Sequence, residues 1–376
     1  MIVLIILVVA LIALVLFLYL YRRREKTTGY MPYIEAMVAL LEEDDELAMK
    51  KFKEAVRIDS DLIDAYIRLG DLYRKKGDVS TAIQIHQSLT VRPTLKKREE
   101  KRIYYALVKD LLETNRHNKA ISFLNEILKI DKKDKNAREL ILKIYEDMES
   151  FGDCLALYQE SGFKKKSDKR HAFYCASFAH NKLKDISGEN PDAEKEAVGL
   201  LKKALKIFPE SLSALYYLGD YFERKHDLKK AREYYHRLLT KHPDYAFLII
   251  PQFERVYFEL DLFDEIIPIY EQIFQQSPKN FPVGLALAEI YEKKNDMETA
   301  KSVYARLKEV YPKSIVPKLR LLKLSVDDEK LKENIAEIEN TVRHKNYRCK
   351  NCGNQVERFS FICKKCHAIE SFLPYL

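Results

Sequence analysis

The chain has 376 residues and a formal net charge of +8, with 65 Lys and Arg set against 57 Asp and Glu. Acidic residues are interspersed with the basic ones throughout, so the charge suits contact with an anionic surface without demanding nucleic acid. Only ten glycines stand among abundant Leu, Ala, Lys and Glu, a composition that predicts an almost entirely helical protein.

Residues Ile2 to Tyr21 form an apolar run of about 20 residues, which at about 1.5 Å per residue spans a hydrocarbon core of about 30 Å. Arg22, Arg23 and Arg24 follow at once, and no basic residue precedes the run. The positive-inside bias therefore predicts a transmembrane helix over 1–21 with the C-terminal side in the cytoplasm. A cleaved signal peptide would want a basic leader and a small-residue cleavage site where the arginines stand. The polar linker, 22–32, is short enough to keep whatever follows within about 30 Å of the bilayer.

From Tyr33 the apolar period becomes helical. Ile63, Tyr66, Leu69, Gly70 and Tyr73 make one helix face, and after a break at Lys76-Gly77-Asp78 the residues Ala82, His86 and Leu89 make a facing one. Two antiparallel helices with small residues where they cross resemble the 34-residue tetratricopeptide repeat. One hairpin cannot bury its own apolar face, so it predicts neighbours. A first, terminal hairpin covers Tyr33 to Ser60, its first helix a poor match as expected of a capping unit. After the Ile63 repeat come Tyr104, Leu107 and Leu111 with Ala120, Leu124 and Ile127, then Ile141 and Tyr145 with Cys154 and Tyr158. Cys154 takes a position where a small residue is wanted and reads as packed core. A fifth unit begins near His171, is widened by a polar loop from Asp185 to Asp192, and resumes at Ala197. Three clear repeats end at Pro243, Pro278 and Pro312, each proline just beyond a helix end. A last helical pair, Ile315 to His344, seals the array. The fold class is all-α: a tetratricopeptide solenoid of about eight repeats over 33–344, with a small metal domain over 345–376.

That terminal domain carries Cys349, Cys352, Cys363 and Cys366, two Cys-x-x-Cys pairs separated by ten residues. In a non-secreted chain such pairs are read as metal ligands before disulfides. Four thiolates can hold one tetrahedral zinc in a zinc-ribbon or rubredoxin-like fold; they leave no open position, which predicts a structural site. Iron in a redox centre uses the same ligands and remains the alternative. Gly353 suits the turn after the first pair, whereas His367 departs from that pattern in the second; with four cysteines present it is not needed as a ligand.

Two basic clusters, Lys96-Lys97-Arg98 with Lys101-Arg102 and Lys164-Lys165-Lys166 with Lys169-Arg170, read as solvated joints or as attractors of anionic lipid or an acidic partner. No phosphate-cradling loop, His-Glu-x-x-His or nucleophile elbow occurs, so no enzyme is predicted. The first helix of each hairpin is expected to line a concave protein-binding groove, including Ile67, Asp71 and Arg74, then Tyr216, Asp220 and Glu223, then Leu285, Glu289 and Glu292. His86 occupies a place usually filled by a larger apolar ring. It reads as a hydrogen-bonded core histidine, or as a residue fixing how the metal domain or a partner sits on the repeats.

Taken together, the N-terminal anchor, the string Leu69-Gly70-Asp71-Leu72-Tyr73-Arg74 through Ala82-Ile83-Gln84-Ile85-His86-Gln87, the Phe173-Tyr174-Cys175 element and the terminal Tyr347-Arg348-Cys349 resemble the lipopolysaccharide assembly protein B family. The resemblance covers the whole chain. It implies a single-pass protein of the bacterial inner membrane, facing the cytoplasm, that limits lipopolysaccharide synthesis. Such a protein helps a membrane-bound AAA+ protease degrade the deacetylase that commits precursors to lipid A, and meets lipopolysaccharide or its assembly proteins. Apart from the resemblance, a homo-oligomer is a further candidate assembly. By the same resemblance the four cysteines are metal ligands and the anchor meets the protease. Lys364 and Ile369 stand where the family has a proline and an aromatic residue, and the chain has no tryptophan. A general membrane scaffold and a rubredoxin-like iron redox protein remain the alternatives.

Overall fold

The structure, a computed structural model, describes residues 12–16, 30–93, 95–160, 168–185, 190–326, 329–342 and 346–374. The expected transmembrane run is described only at 12–16, a helical and exposed stretch; the remainder of that run and the Arg22–Arg24 flank lie outside the described residues. Among the described residues no helix is long and apolar enough to cross a membrane.

The chain divides into two compact units, residues 1–144 and 145–376. In the first, helix α1 (residues 30–41) pairs with α2 (Asp45–Ile58), α3 (Ile63–Lys75) with α4 (Val79–Thr90), and α5 (Lys97–Glu113) with α6 (His117–Ile130). Helix α7 (Lys135–Asp147) crosses the boundary at 144. The second unit continues with α8 (Phe151–Glu160), α9 (Lys169–Asp185), α10 (Pro191–Ile207), α11 (Leu212–Arg224), α12 (Leu228–Lys241), α13 (Ile250–Glu259), α14 (Ile266–Gln276), α15 (Phe281–Lys293), α16 (Met297–Val310), α17 (Val316–Lys323) and α18 (Glu329–Val342). Four hairpin turns share one local chemistry. Glu43, Gly77, His226 and Asn295 take positive φ, and the next residue, Asp44, Asp78, Asp227 or Asp296, caps the following helix by accepting a backbone N–H. Helices α12, α14 and α16 stop two residues before Pro243, Pro278 and Pro312, as the prolines predict.

Helices within a hairpin cross where a residue without a side chain meets a ring. A Cβ built on Gly70 would lie 2.3 Å from His86 Nε2, and one on Gly219 would lie 2.3 Å from Tyr235 Cε1. His86 and Tyr235 each follow their glycine by sixteen residues, so the histidine stands where later repeats put tyrosine. The His86 ring cannot yield, because it is fully buried and bonded at both nitrogens, Nδ1 to Asp110 Oδ2 at 2.6 Å and Nε2 to the Ile67 carbonyl at 3.0 Å. Gly70→Ala is therefore expected to destabilise the first unit by about 1–3 kcal/mol through overpacking, read as a lowered urea midpoint with unchanged slope. An unchanged midpoint would show that the hairpin has room to spare.

The C-terminal residues form a three-stranded antiparallel sheet, β1 (Tyr347–Cys349), β2 (Gln355–Val356) and β3 (Phe372–Pro374), in the order β2-β1-β3. Its small core consists of Tyr347, Cys349, Cys363 and Phe372.

Candidate metal centre

The two Cys-x-x-Cys segments fold as copies of one knuckle. In the first, Cys349 N donates to Asn354 O at 2.8 Å and Gly353 N to Cys349 O at 2.9 Å; in the second, Cys363 N donates to Ala368 O at 2.9 Å and His367 N to Cys363 O at 2.7 Å. The fifth residue of each knuckle takes positive φ, 72° at Gly353 and 57° at His367. Glycine does so without strain; the histidine does so against an ordinary residue's preference and is held by a contact described below.

All four Sγ atoms lie within 4.8 Å of one another, with Cys349 to Cys366 and Cys352 to Cys363 both at 3.7 Å. A tetrahedral ion with bonds of about 2.3 Å to sulfur needs S···S edges of about 3.8 Å, so the donor set fits zinc without rearrangement. Burial pushes the Cys349 thiol up, but the Ser371 hydroxyl and the backbone N–H groups of Cys352 and Asn351 outweigh it and bring it down to about 6. At Cys352 the backbone N–H of Asn354 lowers the thiol, yet burial and the neighbouring thiols dominate and raise it to about 12. Thiols this close do not all ionise together without a cation among them. When bound, the ion supplies that charge and fixes the knuckles. His367 is not among the ligands.

His367 instead joins the metal domain to the repeats of its own unit. Its Nδ1–H donates to Glu146 Oε2 at 2.6 Å, while Glu146 Oε1 accepts from Arg170 Nη2 at 2.8 Å and from the Tyr174 hydroxyl. Glu146 is 1% exposed. Burial alone would raise its carboxyl, but His367, Tyr174 and Arg170 outweigh it and hold the group below the usual glutamate range. A second anchor is Glu370, also at positive φ, 50°. Its carboxylate accepts from Ser213 N at 2.8 Å, in the first turn of α11, where the helix dipole favours negative charge. Lys169 Nζ lies 3.2 Å from the same carboxylate, and the Tyr245 hydroxyl donates to the Glu370 carbonyl. Apolar contact completes the joint: Phe361 packs on Tyr216 and Tyr217, and Phe247 on Tyr347 and Phe359. Beside it lies a cleft of about 320 Å³ lined by Phe151, Phe173, His180, Tyr216, Tyr217 and Phe361 among others. His180 stacks on Tyr217 at 3.9 Å, and burial lowers its imidazole to about 4, so it is neutral near pH 7.

The charged groove residues read from the sequence are paired within the chain. Ile67 is 5% exposed and belongs to the core rather than to a surface. Asp71 pairs with Arg74, which also reaches Asp110 at 2.6 Å. Asp220 pairs with Arg224, and Glu223 accepts from Arg255 Nε at 2.8 Å and from the Tyr235 hydroxyl at 2.7 Å. Arg320 lies 2.8 Å from Glu289 and 3.6 Å from Glu292, and Glu292 accepts from the Tyr304 hydroxyl. Tyr216 is half-buried against the metal domain and Leu285 half-buried in α15. The reading of His86 as a metal-domain contact does not hold: it lies in the first unit's core, and His367 makes that contact.

Four residues of the basic clusters are engaged inside the chain, while Lys96, Lys97 and Arg98 are exposed. Lys101 lies 2.5 Å from Asp134, Arg102 pairs with Asp64, and Lys169 and Arg170 serve the joint just described. Lys164 to Lys166 lie outside the described residues. Cys154 and Cys175 are fully buried, and burial pushes the Cys175 thiol up to about 11, so both are inert core.

Tetratricopeptide repeat family models match residues 65–99, 187–246 and 257–320. The chain is 23% identical over 322 residues to lipopolysaccharide assembly protein B of Haemophilus influenzae, covering 83% of this chain and 79% of that one. It is 22% identical over 349 residues to the protein of the same name from Escherichia coli K12, covering 91% and 88%. Among solved structures, the crystal structure of MamA protein aligns at 18% identity and a TM-score of 0.35, covering 48% of this chain and 91% of that one. The resemblance to lipopolysaccharide assembly protein B thus runs along most of the chain, on a tetratricopeptide scaffold that ends in a four-cysteine cluster.

Proposed function

We propose that this chain is an adaptor of lipopolysaccharide synthesis, anchored in the bacterial inner membrane by Ile2 to Tyr21 with its repeats in the cytoplasm. In this reading the anchor meets a membrane-bound AAA+ protease, and the repeats present to it the deacetylase that commits precursors to lipid A. The four cysteines hold a structural zinc that keeps the metal domain folded against α11. The observation that carries the reading is the similarity to lipopolysaccharide assembly protein B along nearly the whole chain. Support also comes from the chemistry of the faces. The aromatic cleft beside Tyr216 suits a surface that holds a protein. The face running from Tyr216 to Leu285 is where cargo docks in this scheme.

Crosslinking in native membranes, followed by identification of the captured proteins, tests it. A membrane-bound AAA+ protease and a lipid A deacetylase are both expected to be enriched over an unrelated membrane protein. Enrichment of neither would sink the adaptor reading and leave a scaffold for some other envelope assembly. Metal analysis of the purified chain is expected to find one zinc per chain, and stoichiometric iron would favour a redox centre instead.

A further inference from the structure

Helix α1 opens the array, and its outer face is apolar. Ala36 and Ala39 are buried against α2 and α3, with Tyr33, Met37 and Leu40 packed beside them. On the opposite side Met31, Ile34, Val38 and Leu41 are 59%, 51%, 47% and 81% exposed. Spacings of three, four and three residues place these four in one row along the helix. A repeat array needs a polar surface on its terminal unit to stay soluble, so an uninterrupted apolar row on the first helix signals that something covers it.

The row has the pattern of a two-helix seam. With Met31 and Val38 at the first heptad position and Ile34 and Leu41 at the fourth, Glu35 and Glu42 fall on one flank and Tyr30 and Met37 on the other. Side by side and parallel, two such helices set Tyr30 against Glu35 of the second copy and Met37 against Glu42, so no like charges meet. Antiparallel, they would set Glu35 against Glu42, carboxylate on carboxylate. Glu35 is also engaged at home, 2.5 Å from Lys51. The adjoining run Glu42-Glu43-Asp44-Asp45-Glu46 makes an anionic lipid surface a poor cover for Leu41, the most exposed of the four.

We infer that α1 pairs in parallel with α1 of a second copy of this chain. The inference rests on the membrane-anchored reading for one element. The eight residues 22–29 reach at most about 28 Å, so two anchored copies hold their α1 helices at one height and in parallel, and confinement to the bilayer raises their effective concentration. The contact is isologous: each copy offers the same four side chains.

Single cysteines introduced into the full chain at Val38, at Leu41 and at the exposed Lys50 on α2, followed by mild oxidation of native membranes, test it. Val38→Cys and Leu41→Cys are expected to give a disulfide-linked homodimer, and Lys50→Cys is not. Adding Val38→Glu to Leu41→Cys places a charge in the seam and is expected to weaken dimer capture at least about tenfold. Because Val38 is exposed, helix content and metal content should not change with it. A cysteine at Leu41 that stays monomeric overturns the inference, whether it is quenched by nitroxide lipids, which makes the bilayer the cover, or captured by another protein. The crosslink is read in whichever fraction holds the chain. A homodimer recovered from the soluble fraction refutes the anchor and keeps the seam; an anchored monomer does the reverse.

Discussion

Replacing Cys363 by serine is expected to unfold residues 346–374 and to release the metal, because the ion supplies folding energy that so small a sheet lacks. Structural zinc contributes on the order of 10 kcal/mol to small domains, far more than three short strands and a core of four residues provide. The loss should not stop at the knuckle. Cys363 O and N fix the backbone of His367 and Ala368, and His367 and Glu370 are the two residues that reach Glu146 and the start of α11. Losing the second knuckle therefore also uncovers Tyr216, Tyr217 and Tyr245. The expected readings are zinc falling from one equivalent to near zero, rapid proteolysis beyond residue 345, and faster amide exchange at the start of α11. The first unit should keep its thermal stability, since the bonds named here all lie within the second. A serine variant that kept both its metal and its protease resistance would show that three thiolates suffice.

The parts of the fold that repeat were legible in the sequence, and the partners that reach across from another repeat were not. Helix ends follow from Asp caps and prolines, which act over two or three residues, so Asp78 and Pro243 could be placed without knowing the rest of the chain. Metal-ligand spacing is equally local, and the four thiols do converge. His86 is different. In the later hairpins a tyrosine at that place donates to a glutamate of its own repeat, Tyr235 to Glu223 and Tyr304 to Glu292, and an arginine from the next repeat neutralises the acid, Arg255 and Arg320 respectively. The Ile63 repeat exchanges the ends. Arg74 stands where the others have glutamate, and Asp110 of the next hairpin supplies the carboxylate that both Arg74 and His86 bind. Arg74 in a glutamate position was the available signal.

The charged residues of the expected groove show the same limit. Charged residues at helical spacing look alike whether they face a partner or the neighbouring repeat, and only the stacking of hairpins shows that Glu223 and Glu292 are already engaged. His367 was noticed as a departure from glycine. Its reason, a partner more than two hundred residues away, is invisible to any local rule.

That partner gives the second large effect. Glu146→Ala is expected to destabilise the second unit by about 3–5 kcal/mol, because it removes the buried carboxylate that accepts from Arg170, Tyr174 and His367 together. The cost exceeds that of one lost bond, because three donors share the carboxylate. His367→Gly separates the two contributions. Glycine accepts the positive φ freely, so the knuckle and its metal should survive while the link to Glu146 is lost, at about 1.5–3 kcal/mol for a hydrogen bond to a charged group. Combined, the two changes should cost less than their sum, since either alone already breaks the contact. The pH dependence follows from the lowered Glu146 carboxyl: its contribution is fully present above the unfolded glutamate value and disappears as pH falls through the lower folded one. Acid unfolding of the second unit should therefore lose that part of its pH dependence in Glu146→Gln. Strict additivity of the two substitutions, with unaltered acid sensitivity in the glutamine variant, would mean that the metal domain is held by Glu370 and the aromatic contacts alone.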